Sequence, residues 1–325
     1  MQLKTSMKEQ LANLKGRWKM RGMNSVESAI DWIKTHRIPG AGIPPHQEIK
    51  IGYQEVTGYL IPTLYSFREE DLARDFVRWE ASVQRPDGAF SATDNVPYTF
   101  DTAQVIRGFL AALEEMPEIE DNLRRACDYV DGQVAKDGRV LTQSYDHWRG
   151  PGSIFSEYTH LYALPPMLEA GRKLSETRYV EAVSRAMAYF KQKPDLTEFK
   201  PERGTISHVF GYMMEALVDL GEMDLAKRGL EQAAAIQRED GAIPAYPGVS
   251  WVCSTGVAQL AICWYKLGDN QRANKAMAYL EKIQNPSGGF YGSYGRGADY
   301  FSKKEISWAV KFFLDGCSLR ASVPR

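Results

Sequence analysis

Two textures alternate along this chain. One is apolar nearly all round, as in the run from Val252 to Tyr265; the other repeats apolar residues at helical spacing with charges on the opposite side, as in Glu69 to Gln84 and Ile119 to Gln133. A helix without a polar face is buried, and an amphipathic one faces water on one side. The pattern predicts pairs of helices over 52–67 and 69–84, 99–115 and 118–134, 154–173 and 176–192, 205–220 and 223–237, and 251–267 and 269–283. Single helices are predicted over 24–36 and 303–316. Linkers around Arg68, Pro117, Gly221 and Gly268 are short, as antiparallel helical neighbours require.

A repeated phrase punctuates the pairs. Gln84-Arg85-Pro86-Asp87-Gly88-Ala89-Phe90 returns as Gln237-Arg238-Glu239-Asp240-Gly241-Ala242-Ile243 and as Gln284-Asn285-Pro286-Ser287-Gly288-Gly289-Phe290. A degraded copy begins at Gln133, and a poor one lies near Gln192-Lys193-Pro194-Asp195. A period near fifty marks a repeat architecture. Each phrase follows an amphipathic helix and starts the longer return to the next apolar one, with Asp-Gly supplying the turn. If the last helix pairs with the first, the sum is an all-α (α/α)6 toroid over 23–325, with inner and outer rings of six helices.

The Gln-x-x-x-Gly-x-aromatic phrase, best seen at Gln84–Phe90 and Gln284–Phe290, resembles the repeat of the terpenoid cyclase and protein prenyltransferase superfamily. The family's usual tryptophan is replaced here by phenylalanine, isoleucine or valine. The same ring is used by glycosidases, polysaccharide lyases and sugar epimerases, so the resemblance implies an architecture and leaves the reaction open. The protonating Asp-x-Asp-Asp motif of the cyclases is absent, and no zinc ligands of the prenyltransferases are recognisable.

Composition narrows the classes. The 325 residues are 44% hydrophobic and 25% charged with a net charge of −1, which gives no field to recruit nucleic acid. Cys127, Cys253, Cys263 and Cys317 are scattered without a paired spacing, favouring reduced thiols and a cytoplasmic location. Residues 1–22 lack the uninterrupted apolar core of a signal peptide. They instead read as a basic amphipathic helix, with Leu3, Met7, Leu11, Leu14 and Trp18 on one side and six lysines and arginines around them. Packing on the fold or on another subunit is the first expectation for it, and docking on an anionic membrane surface the second. No His-x-x-x-His or Cys/His cluster calls for a metal, and no cofactor motif is present.

In a toroid, the long loops and the N-termini of the inner helices share one face, the mouth of the ring. Polar pairs gather near these starts: Asp101-Thr102, Thr159-His160, Ser207-His208 and Ser254-Thr255, joined by Thr57 and Ser307. Helix capping is the first reading for the hydroxyls and for Asp101. Glu55, Asp101, His160, His208 and Glu305 are the candidate catalytic residues, because paired acids and adjacent histidines can exchange protons with a substrate. Tyr53, Tyr98, Trp148, Arg149, Glu157, Trp251, Tyr291, Tyr294, Arg296 and Trp308 are the candidate substrate-binding residues around them. The glycine-rich stretch 288–297 reads as a binding loop.

These features favour a carbohydrate-active enzyme of hydrolase, lyase or epimerase type, using acid–base chemistry on an intracellular or lipid-linked glycan, with polysaccharide biosynthesis as a role that would fit. A non-catalytic glycan-binding or scaffold toroid and a prenyl-processing enzyme are the alternatives. Paired acids at the mouth would favour sugar, an apolar pocket a prenyl chain, and a filled ring a scaffold.

Overall fold

The computed structural model describes residues 23–144 and 156–323. The N-terminal segment 1–22 and the candidates Trp148 and Arg149 lie outside the described residues. Twelve α-helices run in the described chain: α1 (Ser25–His36), α2 (Gln54–Ser66), α3 (Glu70–Val83), α4 (Thr99–Ala112), α5 (Glu120–Gln133), α6 (Leu164–Lys173), α7 (Thr177–Lys191), α8 (Ser207–Asp219), α9 (Met223–Ala235), α10 (Ser254–Lys266), α11 (Asn270–Ile283) and α12 (Ser307–Ser322). The even-numbered helices pack side by side in a closed inner ring, α12 returning against α2, and α12 also packs on α1. The architecture is the (α/α)6 toroid. The last helix runs six residues beyond its predicted end, to Ser322.

The third inner element departs from a single α-helix. Residues Glu157–Ala163 form a 3₁₀ helix, and the α-helix starts only at Leu164 with Pro165 and Pro166 in its first turn. Proline is favoured at a helix start, but neither residue has an N–H to donate to a carbonyl four residues back. The α-helical ladder therefore cannot pass through them, and the preceding segment tightens instead.

The repeated phrase has a defined job. Gln84 Nε2 donates to Gly88 O in its own turn (3.0 Å) and to Asn122 O in α5 (2.9 Å). Gln237 bridges Gly241 O and Arg272 O of α11, and Gln284 bridges Gly288 O and Ser25 O of α1. The glutamine thus staples one turn to the next outer helix, and its last copy closes the ring. The glycines at 88, 138, 241 and 288 have φ between 86° and 92°. A Cβ at these positions would overlap Arg125 O, Arg185 O, Lys275 O and Ser28 O in turn. Glycine is required twice over, for the left-handed turn and for the backbone approach.

The hydroxyls at the inner-helix starts are not side-chain caps: α2, α4, α8, α10 and α12 all begin without a capping hydrogen bond. In α4, α10 and α12 the hydroxyl of the first residue instead reaches the loop of the next repeat. Thr99 Oγ1 donates to Leu141 O, Ser254 Oγ to Tyr291 O, and Ser307 Oγ to Pro44 O. Gln54 Oε1 does the equivalent in reverse, accepting from Ser91 N. Thr57 and Thr102 fasten their own loops, each donating to a tyrosine carbonyl four residues back and accepting an N–H from Ile43 or Phe90. Two strands complete the mouth, β1 (Val252–Cys253) pairing antiparallel with β2 (Ser293–Tyr294).

Candidate active site

Close packing of two inner helices builds the centre of the mouth. Gly58 in α2 lies where a Cβ would come within 2.6 Å of Val105 Cα, and Gly108 in α4 where one would come within 2.6 Å of Gly58 O. The helix starts are therefore drawn together, bringing Glu55 and Asp101 into mutual interaction. The two acids do not occupy equivalent positions. If Thr57 and Thr102 are aligned, Phe100 takes the place of Glu55, and Asp101 that of Val56.

Both carboxyls are buried, Asp101 completely and Glu55 to 8% exposure. Burial pushes the Glu55 carboxyl up to about 7, against a partial stabilisation of its anion by the Tyr53 and Tyr59 hydroxyls. Burial raises Asp101 far above the usual carboxylate range, and the neighbouring Glu55 charge raises it further. Neither Asp101 oxygen has a well-formed hydrogen bond among the described residues; the Tyr53 phenol interacts with both acids. Two carboxyls that cannot both ionise cheaply divide the roles, Asp101 holding its proton while Glu55 exchanges one near neutrality.

Aromatic side chains form the wall and floor. Trp308 Nε1 donates to the Tyr300 hydroxyl (3.2 Å), and Tyr300 interacts with Glu55 and Tyr212. Below them the ring axis is filled: Tyr162 and Tyr212 lie 4.5 Å apart between centroids, Tyr212 and Phe100 5.3 Å, and Phe312 packs on both Tyr59 (5.7 Å) and Tyr212 (5.9 Å). An ionic layer lies beneath. Lys311 Nζ sits 3.8 Å from the Phe312 ring centroid and 2.7 Å from Asp315, while Lys266 bridges Glu215 and Asp219. Among the described residues the mouth thus lies over an aromatic floor, whose rings pack on one another around the ring axis.

His208 belongs to this site. Its Nδ1 lies 2.7 Å from Gln259 Oε1, and its ring packs on Tyr212, Tyr300 and Phe312. Burial, with the Lys311 charge as a lesser cause, lowers its pKa to about 4, so it is a neutral imidazole at pH 7. With the Gln259 amide in this orientation, Nδ1 carries the hydrogen and Nε2 is the free acceptor. His160 is fully buried in the 3₁₀ segment, and desolvation likewise lowers it to about 4.

Other sequence candidates lie elsewhere. Glu305 is held by Trp32 Nε1 (2.7 Å), Asn285 Nδ2 (2.9 Å) and Ser287 Oγ, so its carboxylate ties the last repeat turn to α1. Tyr98 donates to Asp94 (2.8 Å) and pins the loop before α4. Glu157 accepts from Tyr189 and pairs with Lys193. The Tyr294 hydroxyl accepts from Tyr291 N and donates to Asn285 Oδ1, which makes the glycine-rich loop a folded unit. Trp251 packs on Tyr246, and Arg296 is exposed. Tyr212 and Phe312 are among the site residues that sequence reasoning did not place there. Each lies four residues beyond a candidate (His208 and Trp308), on the same helical face, and that spacing was the available signal.

Among the described residues no group of three or more His, Cys, Asp or Glu could hold a metal ion, and no helix is long and apolar enough to cross a membrane. No known family model and no curated protein matches the sequence. Solved structures do match. "A novel alpha-amylase from Clostridium perfringens" aligns at 13% identity over 91% of this chain and 97% of that one, with a TM-score of 0.70. An unsaturated glucuronyl hydrolase specific for heparin aligns at 13% over 92% and 96% (TM-score 0.67), and a UGL variant with dGlcA-Glc-Rha-Glc at 16% over 94% and 96% (TM-score 0.67). The solved structures that this chain resembles are thus α/α-toroid carbohydrate-active enzymes, and the likeness is one of fold.

Proposed function

We propose that this protein is a carbohydrate-active enzyme that works on a glycan by acid–base catalysis at the mouth of the toroid. The observation that carries this reading is the buried Glu55–Asp101 pair, with both acids raised and a tyrosine between them. Asp101 supplies a proton to the departing oxygen or the reacting carbon, and Glu55 removes one from water or from the sugar. Neutral His208 accepts a hydroxyl hydrogen, while Trp308 and Tyr300 provide a face for the sugar ring. Such an arrangement serves hydrolysis, elimination or epimerisation alike. The four unpaired, buried cysteines support a reducing compartment, and hence an intracellular or lipid-linked glycan as substrate.

The aromatic floor supports a second reading, a toroid that binds a glycan without turning it over. A prenyl chain is the poorer fit, since burying an apolar chain against two carboxyls gains little.

The test is turnover and binding across an oligosaccharide panel that includes uronic-acid glycans, with Glu55→Gln, Asp101→Asn and His208→Ala beside wild type. Loss of about 10²–10⁴-fold in rate with folding intact supports the catalytic reading. Saccharide binding with no turnover in wild type moves the assignment to the binding toroid.

A further inference from the structure

Beside the mouth, a groove of about 450 Å³ runs between the loop before α2 and the loop before α4, with Trp79 of outer helix α3 at its base. That volume lies within the range of small-molecule sites. We infer that this groove is a second saccharide subsite, selective for an acidic sugar. The inference extends the glycan reading to a further place on the same face, and it stands on binding, so it can fail or hold independently of turnover.

The groove is built from rigid parts. Gly42 and Gly52 lie directly on the Trp79 indole: a Cβ at Gly42 would come within 2.5 Å of Cζ3, and one at Gly52 within 3.0 Å of Cη2. These contacts fix the plane of the partly exposed ring. The opposite wall is a tight hairpin, in which Ala92 N donates to Val96 O (3.1 Å) and Asn95 N to Ala92 O (3.0 Å). Asp94 clamps it from within, accepting from Val96 N and the Tyr98 hydroxyl. Asn95 sits at the tip with φ 63°, a conformation that asparagine tolerates better than most residues.

The chemistry of the lining is that of a sugar site. An indole offers an apolar platform, and Thr93, Asn95 and Gln54 add hydroxyl and amide groups. Gln54 Oε1 is taken by Ser91 N, so its amide NH₂ is the part left for a ligand. Lys50 is the one charged side chain of the lining, which holds no carboxylate, so the groove favours an anion. Ile51 adds an apolar edge, 60% exposed. Gln54 immediately precedes Glu55, which sets the groove and the acid pair on the same first turn of α2.

The inference is tested with tetragalacturonate and, as an uncharged comparator, maltotetraose. Each is titrated into full-length ¹⁵N-labelled protein while the Trp79 and Trp308 indole signals and the Gln54 and Asn95 amide signals are followed. Tetragalacturonate is expected to shift Trp79, Gln54 and Asn95 along one binding curve, and to bind there at least fivefold more tightly than maltotetraose. Lys50→Ala should remove that preference, and Asn95→Gly, which keeps the positive φ, should weaken binding severalfold. Shifts confined to Trp308, equal affinity for the two saccharides, or an unchanged curve in Lys50→Ala would overturn the assignment. Both substitutions are at exposed positions outside the core, so the test does not depend on a Trp79 variant folding.

Discussion

Replacing Glu55 by Gln should make the protein more stable and less active, and the stability gain should grow with pH. The Glu55 carboxyl titrates at about 7 in the fold and near 4.5 in an unfolded chain, because burial disfavours its anion. Below pH 4.5 the acid is neutral in both states and costs nothing. As pH rises through 7 the folded protein must ionise a buried group, and the stability associated with the protonated form is lost. Linkage over this interval gives a penalty of roughly 1 kcal/mol at pH 5 that grows to roughly 3 kcal/mol at pH 8. Asp101, raised in the same direction, keeps its proton in the fold but not in the unfolded chain over this window, so it adds its own loss of stability with rising pH to both proteins and is removed by comparing them. Glutamine keeps the shape and cannot ionise, so the variant should lose this pH dependence. Equilibrium urea unfolding of both proteins at pH 5 and pH 8 reads the effect directly, as a change in midpoint with an unchanged slope. A stability difference that stays constant between the two pH values would refute the buried-acid argument. So would a variant that is less stable than wild type at pH 8.

Five further outcomes follow from the same geometry. If Glu55 is the base, kcat/KM should rise as pH increases through about 7, and a Glu55→Gln variant should lack that limb in its pH–rate profile. Gly288→Ala must place a Cβ at φ 92° against Ser28 O, so urea unfolding should show a loss of about 3 kcal/mol or more. By contrast Gly132→Ala, in α5 with nothing within 4 Å, should gain about 0.5–1 kcal/mol. Glu305→Gln should cost about 1–3 kcal/mol in the same assay, through its bonds to Trp32, Asn285 and Ser287, with kcat of the folded enzyme retained. Lys311→Met removes a positive charge that depresses His208, so the His208 pKa read by NMR should rise from about 4.

The sequence was a good guide where the constraint is local. Apolar-all-round and amphipathic helices separated by Gln-x-x-Asp-Gly turns predict the rings, because helix burial follows from the distribution of apolar residues within each helix. The turns need glycine at positive φ and a short polar side chain before it, and both are visible without coordinates. The late start of the third inner helix's α-helical part was also written in the chain, as Pro165-Pro166, but the helical pattern masked it.

The roles of the polar residues near the inner-helix starts were not legible in the same way. Glu55, Asp101 and Glu305 look alike in sequence, each an acid close to the start of an inner helix. Which of them is isolated in a dry site, and which is satisfied by three donors, depends on partners far away in the chain. Trp32 reaches Glu305 across 273 residues, and Asp101 meets Glu55 because glycines in two helices let their backbones touch. The sequence by itself therefore determined the helices, their inner or outer place and the turns that staple them. Tertiary structure decided which carboxyls are desolvated and which aromatic rings floor the site, because desolvation and floor packing arise only when side chains from several inner helices converge on the ring axis.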